Sequence, residues 1–283
     1  MTMKINHPES QAGLGLVELM VAMAIGLILM LGATGTLITN QRVFNATEGL
    51  SGIQDSSRIA IDMLSRDLRE AGGHPCLTMT LFDQTNANAT ALAIKAQLAQ
   101  AGSVVLDPPD SPSNRVAAQS ALQMVTITDT QTITAQAGTV LTFANSLAAG
   151  DIIIACTGKT AYLLEVTAAT PTTATVESVP TADLTGASIA SGLDFRFWYI
   201  GTNADGRLNS LYRRVGAGAG DGLEMVDNIV GLATQDLGNG AVRIQLTLCS
   251  RNNDSEALAA NNQLCAAGRI ERTVATVIQR RTA

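Results

Sequence analysis

The sequence predicts an α+β protein: a long N-terminal α-helix, membrane-spanning in its first half, packed on a C-terminal antiparallel β-sheet domain. Three observations carry that prediction. An apolar run fills residues 14–38 and contains a single carboxylate, Glu18. A helical stripe of apolar and small residues follows and stops at Gly72, Gly73 and Pro75. From Leu122 onward, short β-branched or alternating runs recur between Gly, Asn, Thr and Pro.

The first element is LGLVELMVAMAIGLILMLGATGTLI, residues 14–38. As a helix it would be about 37 Å long, enough to cross a bilayer. An ordinary secretory signal has a shorter apolar core of about 7–15 residues. No A-x-A cleavage site follows this run, so the segment is expected to stay on the mature protein. An ionised acid inside such a run costs roughly 2.5–3.5 kcal/mol on insertion scales, so Glu18 needs a reason to be there.

The second element, from residue 41 to 71, places Leu50, Ile53, Ser57, Ala60, Leu64, Leu68 and Ala71 at spacings of three and four. Asp55, Arg58, Asp62, Arg66, Arg69 and Glu70 fall largely off this stripe, and Asp62–Arg66 has the favourable acid-first order. Asp67 interrupts the pattern, which covers only about three heptads and so argues against a coiled coil. One helix from 14 to 71 is the expectation.

Residues 77–120 carry few order signals: DQTNANATA and DPPDSPSN read as loops, and ALAIKAQLAQAG as one short helix. The β signals are LQMVTIT, TVLTF, DIIIAC, KTAYLLEVT and TATVES. LDFRFWYIGTNADGRLNSLYRRV reads as two strands around an Asp205–Gly206 turn, and the late runs ending in LTLCSR and TVIQRR as further strands.

Composition narrows the function classes. The chain has 283 residues and a formal net charge of −6. Apolar residues are plentiful, aromatics are scarce, and Ala, Thr, Gly, Asn and Gln dominate the middle and C-terminal half, which suits a β-rich secreted or periplasmic domain. With no basic stripe, direct nucleic-acid binding is not expected. The basic pairs Arg213–Arg214 and Arg280–Arg281 read as solvated surface.

Cys76, Cys156, Cys249 and Cys265 are well separated and lack a C-x-x-C, so disulfides fit better than zinc. Four cysteines allow three pairings. The favoured one is Cys249–Cys265 with Cys76–Cys156, the first closing a short loop worth about 3 kcal/mol in the chain-entropy model. Four buried thiols are the alternative.

No catalytic, metal or cofactor constellation emerges. GAGAGDG, residues 216–222, lacks the Lys and Ser/Thr of a phosphate-binding loop and reads as a flexible loop. TNADG is not a full calcium loop. With only His7 and His74 there is no H-E-x-x-H, and no G-x-S-x-G occurs. Asn45 and Asn88 each begin an N-A-T sequon that reads as chance. No enzyme and no cofactor are expected.

The N-terminus has a more specific pattern. MTMKINHPESQAG is polar and ends in Gly13; Leu14 opens the apolar run; Glu18 is fifth after the glycine. This resembles the class III signal of type IV pilins and pseudopilins, although Leu14 and Gly15 stand where the family usually has Phe and Thr. The resemblance implies that a prepilin peptidase cuts after Gly13 and methylates the new amine of Leu14. Because residues 1–13 hold one base, Lys4, and one acid, Glu9, their removal leaves the net charge unchanged. It further implies that Glu18 docks subunits by pairing with a neighbour's N-terminal amine, a pairing that offsets its cost in low dielectric. Residues 1–13 are then a leader, 14–40 the transmembrane and filament-core helix, 41–73 its amphipathic continuation and 74–283 a periplasmic β-rich domain.

SSRIAIDMLSRDLREAGGHPC, FWYI…LYRRV and MVDNIVGLATQDLGNGAVRIQLTLCSR also resemble PilW-type minor pilins. The first of these resembles the J-type minor pseudopilins of type II secretion as well. The PilW resemblance implies a pilin-like fold and a single-pass inner-membrane protein with its domain in the periplasm. The chain would join a priming or tip complex with other minor pilins and the major pilin, served by prepilin peptidase and the inner-membrane assembly platform. A tip adhesin is a further implied partner, with motility, adhesion or DNA uptake downstream. A pseudopilin of type II secretion, or a membrane-anchored periplasmic protein of other activity, is the alternative.

Overall fold

The computed structural model describes residues 15–71, 80–85, 88–101, 104–108, 112–127, 129–158, 160–203, 208–216, 220–251, 264–265 and 269–279. Gly13, Leu14, Gly72, Gly73, Pro75, Cys76, the Asp205–Gly206 turn and Arg280–Arg281 lie outside them. The chain divides into two compact units, residues 1–48 and 49–283.

Helix α1 (Leu16–Glu70) supplies residues to both units. It is followed by β1 (Thr80–Asp83), α2 (Ala89–Ala101), β2 (Val104–Leu106), β3 (Ala121–Thr126), β4 (Asp129–Thr132), β5 (Ala135–Ala137) and β6 (Val140–Thr142). Then come β7 (Ile152–Thr157), β8 (Thr160–Ala169), β9 (Thr173–Val176), β10 (Ser188–Ser191), β11 (Asp194–Gly201) and β12 (Ser210–Val215). The last strands are β13 (Leu223–Val226), β14 (Ile229–Gly238), β15 (Ala241–Cys249) and β16 (Glu271–Gln279). The architecture is a long, N-terminally apolar helix followed by a mostly antiparallel β domain, hence α+β.

Among the described residues the strands form three sheets. A five-stranded sheet has the order β13-β12-β11-β3-β2 and a three-stranded sheet the order β14-β15-β16. An eight-stranded sheet has the order β4-β10-β7-β8-β9-β6-β5, with β1 added in parallel beside β8. The strands from β4 to β10 lie in sequence between β3 and β11, which are themselves antiparallel neighbours. That stretch is therefore an insertion with its own core: Ile133, Leu141, Phe143, Ile153, Leu164, Val166, Val176, Leu184 and Ile189 are buried together. Strand β7 buries both of its faces, the reason its sequence IIIAC is continuously apolar.

Alternation along β11 organises the second unit. Trp198 and Ile200 face the core shared by Ile53, Ala60, Leu64 and Leu68 of α1 and by Leu232, Ile244, Leu246 and Leu248 of the three-stranded sheet. Phe197 and Tyr199 face the other way with Tyr212. The α1 stripe is thus the seam on which the five-stranded and three-stranded sheets close.

The stretch from 77 to 120 holds the expected short helix, α2, and beyond that expectation the strands β1 and β2. Asn88 caps α2: its Oδ1 accepts from Thr90 N at 2.9 Å and from Ala91 N at 3.3 Å. Ala91, Ile94 and Leu98 then bury against Ile152, Ile154 and Leu163. The second N-A-T sequon has a helix-capping role that accounts for its asparagine.

Candidate functional site

The first unit is a helix with no protein core around it. Its large apolar residues from Leu16 to Phe44, among them Met20, Leu27, Leu31 and Ile38, are all exposed. No charged residue lies between Glu18 and Arg42, a span of about 35 Å as helix. A helix apolar all round needs an apolar surrounding from outside its own chain. It is long and apolar enough to cross a membrane.

The hydroxyls in this segment turn inward on the helix. Thr34 Oγ1 donates to Met30 O at 2.8 Å and to Leu31 O at 3.0 Å, Thr36 Oγ1 to Ala33 O at 2.8 Å, and Thr39 Oγ1 to Gly35 O at 3.0 Å. Every donor so used is one fewer unsatisfied group in hydrocarbon.

Glu18 lies in the first turn and is exposed. The carbonyl of Gly15 accepts from Glu18 N at 3.0 Å and Leu19 N at 3.2 Å, so Gly15 is the N-cap and Glu18 the third helical residue. There the carboxylate meets the positive end of the helix dipole. Among the described residues no hydrogen bond or ion pair reaches its side chain. Gly13 and Leu14, the expected cleavage and methylation positions, fall outside the described residues.

Within the second unit, an acid that sequence periodicity treats as an interruption becomes the centre of a buried cluster. The Asp67 side chain is 3 % exposed and accepts from Arg196 Nη1. Its Oδ2 accepts from Trp198 Nε1 at 2.8 Å and lies 3.9 Å from Arg213 Nη1. Arg196 also reaches Glu70 at 2.7 Å. Burial works against the Arg196 charge, but Asp67 and Glu70 outweigh it and hold the guanidinium pKa above its ordinary value.

The same cluster corrects the surface reading of Arg213–Arg214. Arg213 stacks 5.6 Å from the Trp198 ring centroid, and Arg214, a buried residue, lies 4.9 Å from that of Phe197. Adjacent strand positions send the two guanidiniums to opposite faces of the five-stranded sheet, each onto an aromatic of β11. The one sequence signal for this was the density of aromatics and arginines in DFRFWYI and SLYRRV.

The glycine-rich segment also has set contacts. Gly222 N donates to Tyr199 Oη at 2.8 Å, and a Cβ at Gly222 would come within 2.7 Å of the Arg213 backbone. Asp221 accepts from Ser113 Oγ at 2.9 and 3.0 Å. Tyr199 Oη donates to Asn114 Oδ1 at 2.8 Å. Burial raises the Tyr199 pKa, with Gly222 the largest opposing influence.

Cys249 and Cys265 form a disulfide with Cα atoms 5.7 Å apart. Cys156 is also disulfide-bonded. A cleft of about 210 Å³ beside the Cys249 end of β15 is lined by Asn203, Leu208, Asp227, Asn228, Arg251 and Arg269. Its polar groups are engaged internally: Arg251 pairs with Asp227, and Arg269 Nη1 donates to the carbonyls of Ser250 and Arg251 at 2.7 Å. No group of metal-ligating side chains occurs among the described residues.

A model of the prokaryotic N-terminal methylation motif matches residues 10–34, the stretch that contains Gly13, Leu14 and Glu18. No curated protein and no solved structure matches the chain. The motif supports a pilin-like or pseudopilin-like subunit of pilus or secretion assembly and implies processing by a prepilin peptidase. With the apolar helix it indicates an N-terminal membrane anchor.

Proposed function

We propose that the chain is a PilW-type minor pilin that acts by assembly rather than catalysis. Residues 1–13 are removed after Gly13, Leu14 is methylated, and residues 14–40 hold the protein in the inner membrane until it joins the pilus. The domain from residue 74 stands in the periplasm and makes lateral contacts in a priming or tip complex. Other minor pilins, the major pilin, the assembly platform and a tip adhesin are its partners.

One observation carries this reading: the methylation motif over residues 10–34 runs into a helix whose apolar surface is exposed from Leu16 to Phe44. A bilayer covers that surface before assembly, and a bundle of like helices covers it afterwards. Moving from one to the other leaves Glu18 needing a cation in low dielectric, which a neighbour's α-amine at Leu14 supplies. The pairing sets axial register.

A second reading, a J-type pseudopilin of type II secretion, is favoured by the segment from Ser56 to Cys76, which resembles both groups. The physics is the same and the partners differ.

The test is intact mass and N-terminal sequence of the membrane-extracted chain, expressed with and without a prepilin peptidase. A start at methylated Leu14 only in its presence is expected. A start at Met1 in both overturns the proposal. Co-purification with minor pilins, or instead with secretion pseudopilins, separates the two readings.

A further inference from the structure

We infer that the outer edge of β16 is an interaction surface that accepts the same strand of a second copy of this chain, antiparallel and centred on Ala275. This goes beyond the proposed function and does not depend on it.

Strand β16 pairs with β15 in unbroken register from Cys249↔Glu271 to Ala241↔Gln279, and among the described residues it pairs with nothing else. The direction of its outward backbone groups follows from two hydrogen bonds. Ser250 N donates to Ile270 O at 2.9 Å, and Cys249 N to Asn228 O at 3.0 Å. Even-numbered residues of β15 therefore bond towards β16 and odd-numbered ones towards β14. By the same alternation Arg272, Val274, Thr276 and Ile278 use their amides on β15. Glu271, Thr273, Ala275, Val277 and Gln279 direct theirs to the outer edge.

Over residues 273–279 the strand itself carries none of the sequence features that usually protect an edge. From Thr273 to Gln279 there is no charge, proline or glycine, and its register has no bulge. Thr273, Ala275, Val277 and Gln279 are exposed, Val277 by 56 %.

The occupant follows from self-complementarity. A two-fold through Ala275 sets every outward-directed residue opposite another: Ala275 faces Ala275, Thr273 faces Val277 and Glu271 faces Gln279. All five positions exchange backbone hydrogen bonds, β-branched pairs meet on one face, and no like charges oppose. Arg272 faces Ile278. Centring on Thr273 or Val277 instead leaves part of the row unpaired. The product is one continuous antiparallel sheet across two copies, an isologous contact.

The test uses the full chain in mild detergent. Opposed residues in such a pair have Cα atoms about 5.5 Å apart, within disulfide range. Ala275→Cys should give a covalent dimer on mild oxidation, whereas Ala233→Cys, exposed on β14 of the same sheet, should not. Ala275→Lys places two cations opposite each other and should convert dimer to monomer in sedimentation with an unchanged unfolding midpoint. A monomeric wild-type chain at tens of micromolar, together with no Ala275→Cys dimer, overturns the inference. So does crosslinking in cells to a different subunit alone.

Discussion

Removing the Asp67 carboxylate tests whether the helix is locked to the domain as the geometry indicates. Asp67→Ala leaves the buried Trp198 Nε1 without its acceptor, a loss of about 1–3 kcal/mol. It also strips Arg196 of one of two carboxylates. Breaking a buried ion pair costs about 3–5 kcal/mol when the survivor is stranded. Arg196 is not fully stranded, because Glu70 stays at 2.7 Å and is 40 % exposed, so the low end applies. The two losses share one carboxylate and are not added; about 3–4 kcal/mol in all is expected, or roughly 10 °C in Tm for a unit of this size. Asp67→Asn keeps an acceptor for Trp198 and should cost about 2 kcal/mol.

The assay is chemical unfolding in mild detergent followed by the fluorescence of Trp198, the only tryptophan in the chain. In a double-mutant cycle with Arg196→Met, the Asp67 and Arg196 losses should couple by about 1.5 kcal/mol or more. An Asp67→Ala chain within about 0.5 kcal/mol of wild type, or a cycle with no coupling, would refute the reasoning.

Two further outcomes are expected. A Cβ on Gly49 would lie 3.1 Å from Ser250 Cβ, and Ser250 is held by Ile270 and Arg269, so Gly49→Leu should lower stability by about 1–3 kcal/mol, read by the same unfolding assay. Tyr199 has a folded-state pKa raised above 10.0 by burial, so its contribution is intact below pH 10 and is lost as pH rises through the folded value; phenolate absorbance should lag behind that of free tyrosine, and Tyr199→Phe should remove this part of the alkaline instability.

What was legible in the sequence was what depends on near neighbours. The apolar stripe of α1, the β-branched runs of β7 and β8, and the Gly13–Glu18 spacing are all local patterns. Asp67 was legible only as a break in periodicity, because its partners Arg196 and Trp198 lie 129 and 131 residues away. Arg214 was misread for the same reason: a basic pair on a strand divides between two faces, and what each face meets is tertiary. That the strands from β4 to β10 form an insertion was not legible, although β7 and β8 were, because the pairing of β3 with β11 across them is tertiary. Helix α2 was legible in ALAIKAQLAQAG, and Asn88, a cap residue directly before that Ala-rich run, marks where it starts.

Two acids of α1, Glu18 and Asp67, invite comparison. Both sit on faces of one helix where an isolated charge is unfavourable. Asp67 is met by Arg196, Trp198 and Arg213 from within the chain. Glu18 has the helix dipole, worth about 0.3–1 kcal/mol, against an insertion cost that reaches roughly 2.5–3.5 kcal/mol for an acid at the centre of a span and is lower in the first turn. Among the described residues no cation reaches Glu18, and the partner proposed for it is a neighbouring subunit's α-amine. Glu18→Gln keeps the side chain's shape and removes its charge. If an intermolecular amine supplies the difference, Glu18→Gln should insert into the membrane as well as wild type while its recovery in assembled filaments falls at least tenfold, which is about 1.4 kcal/mol per contact. Equal recovery of the two chains would leave Glu18 satisfied by the membrane interface alone.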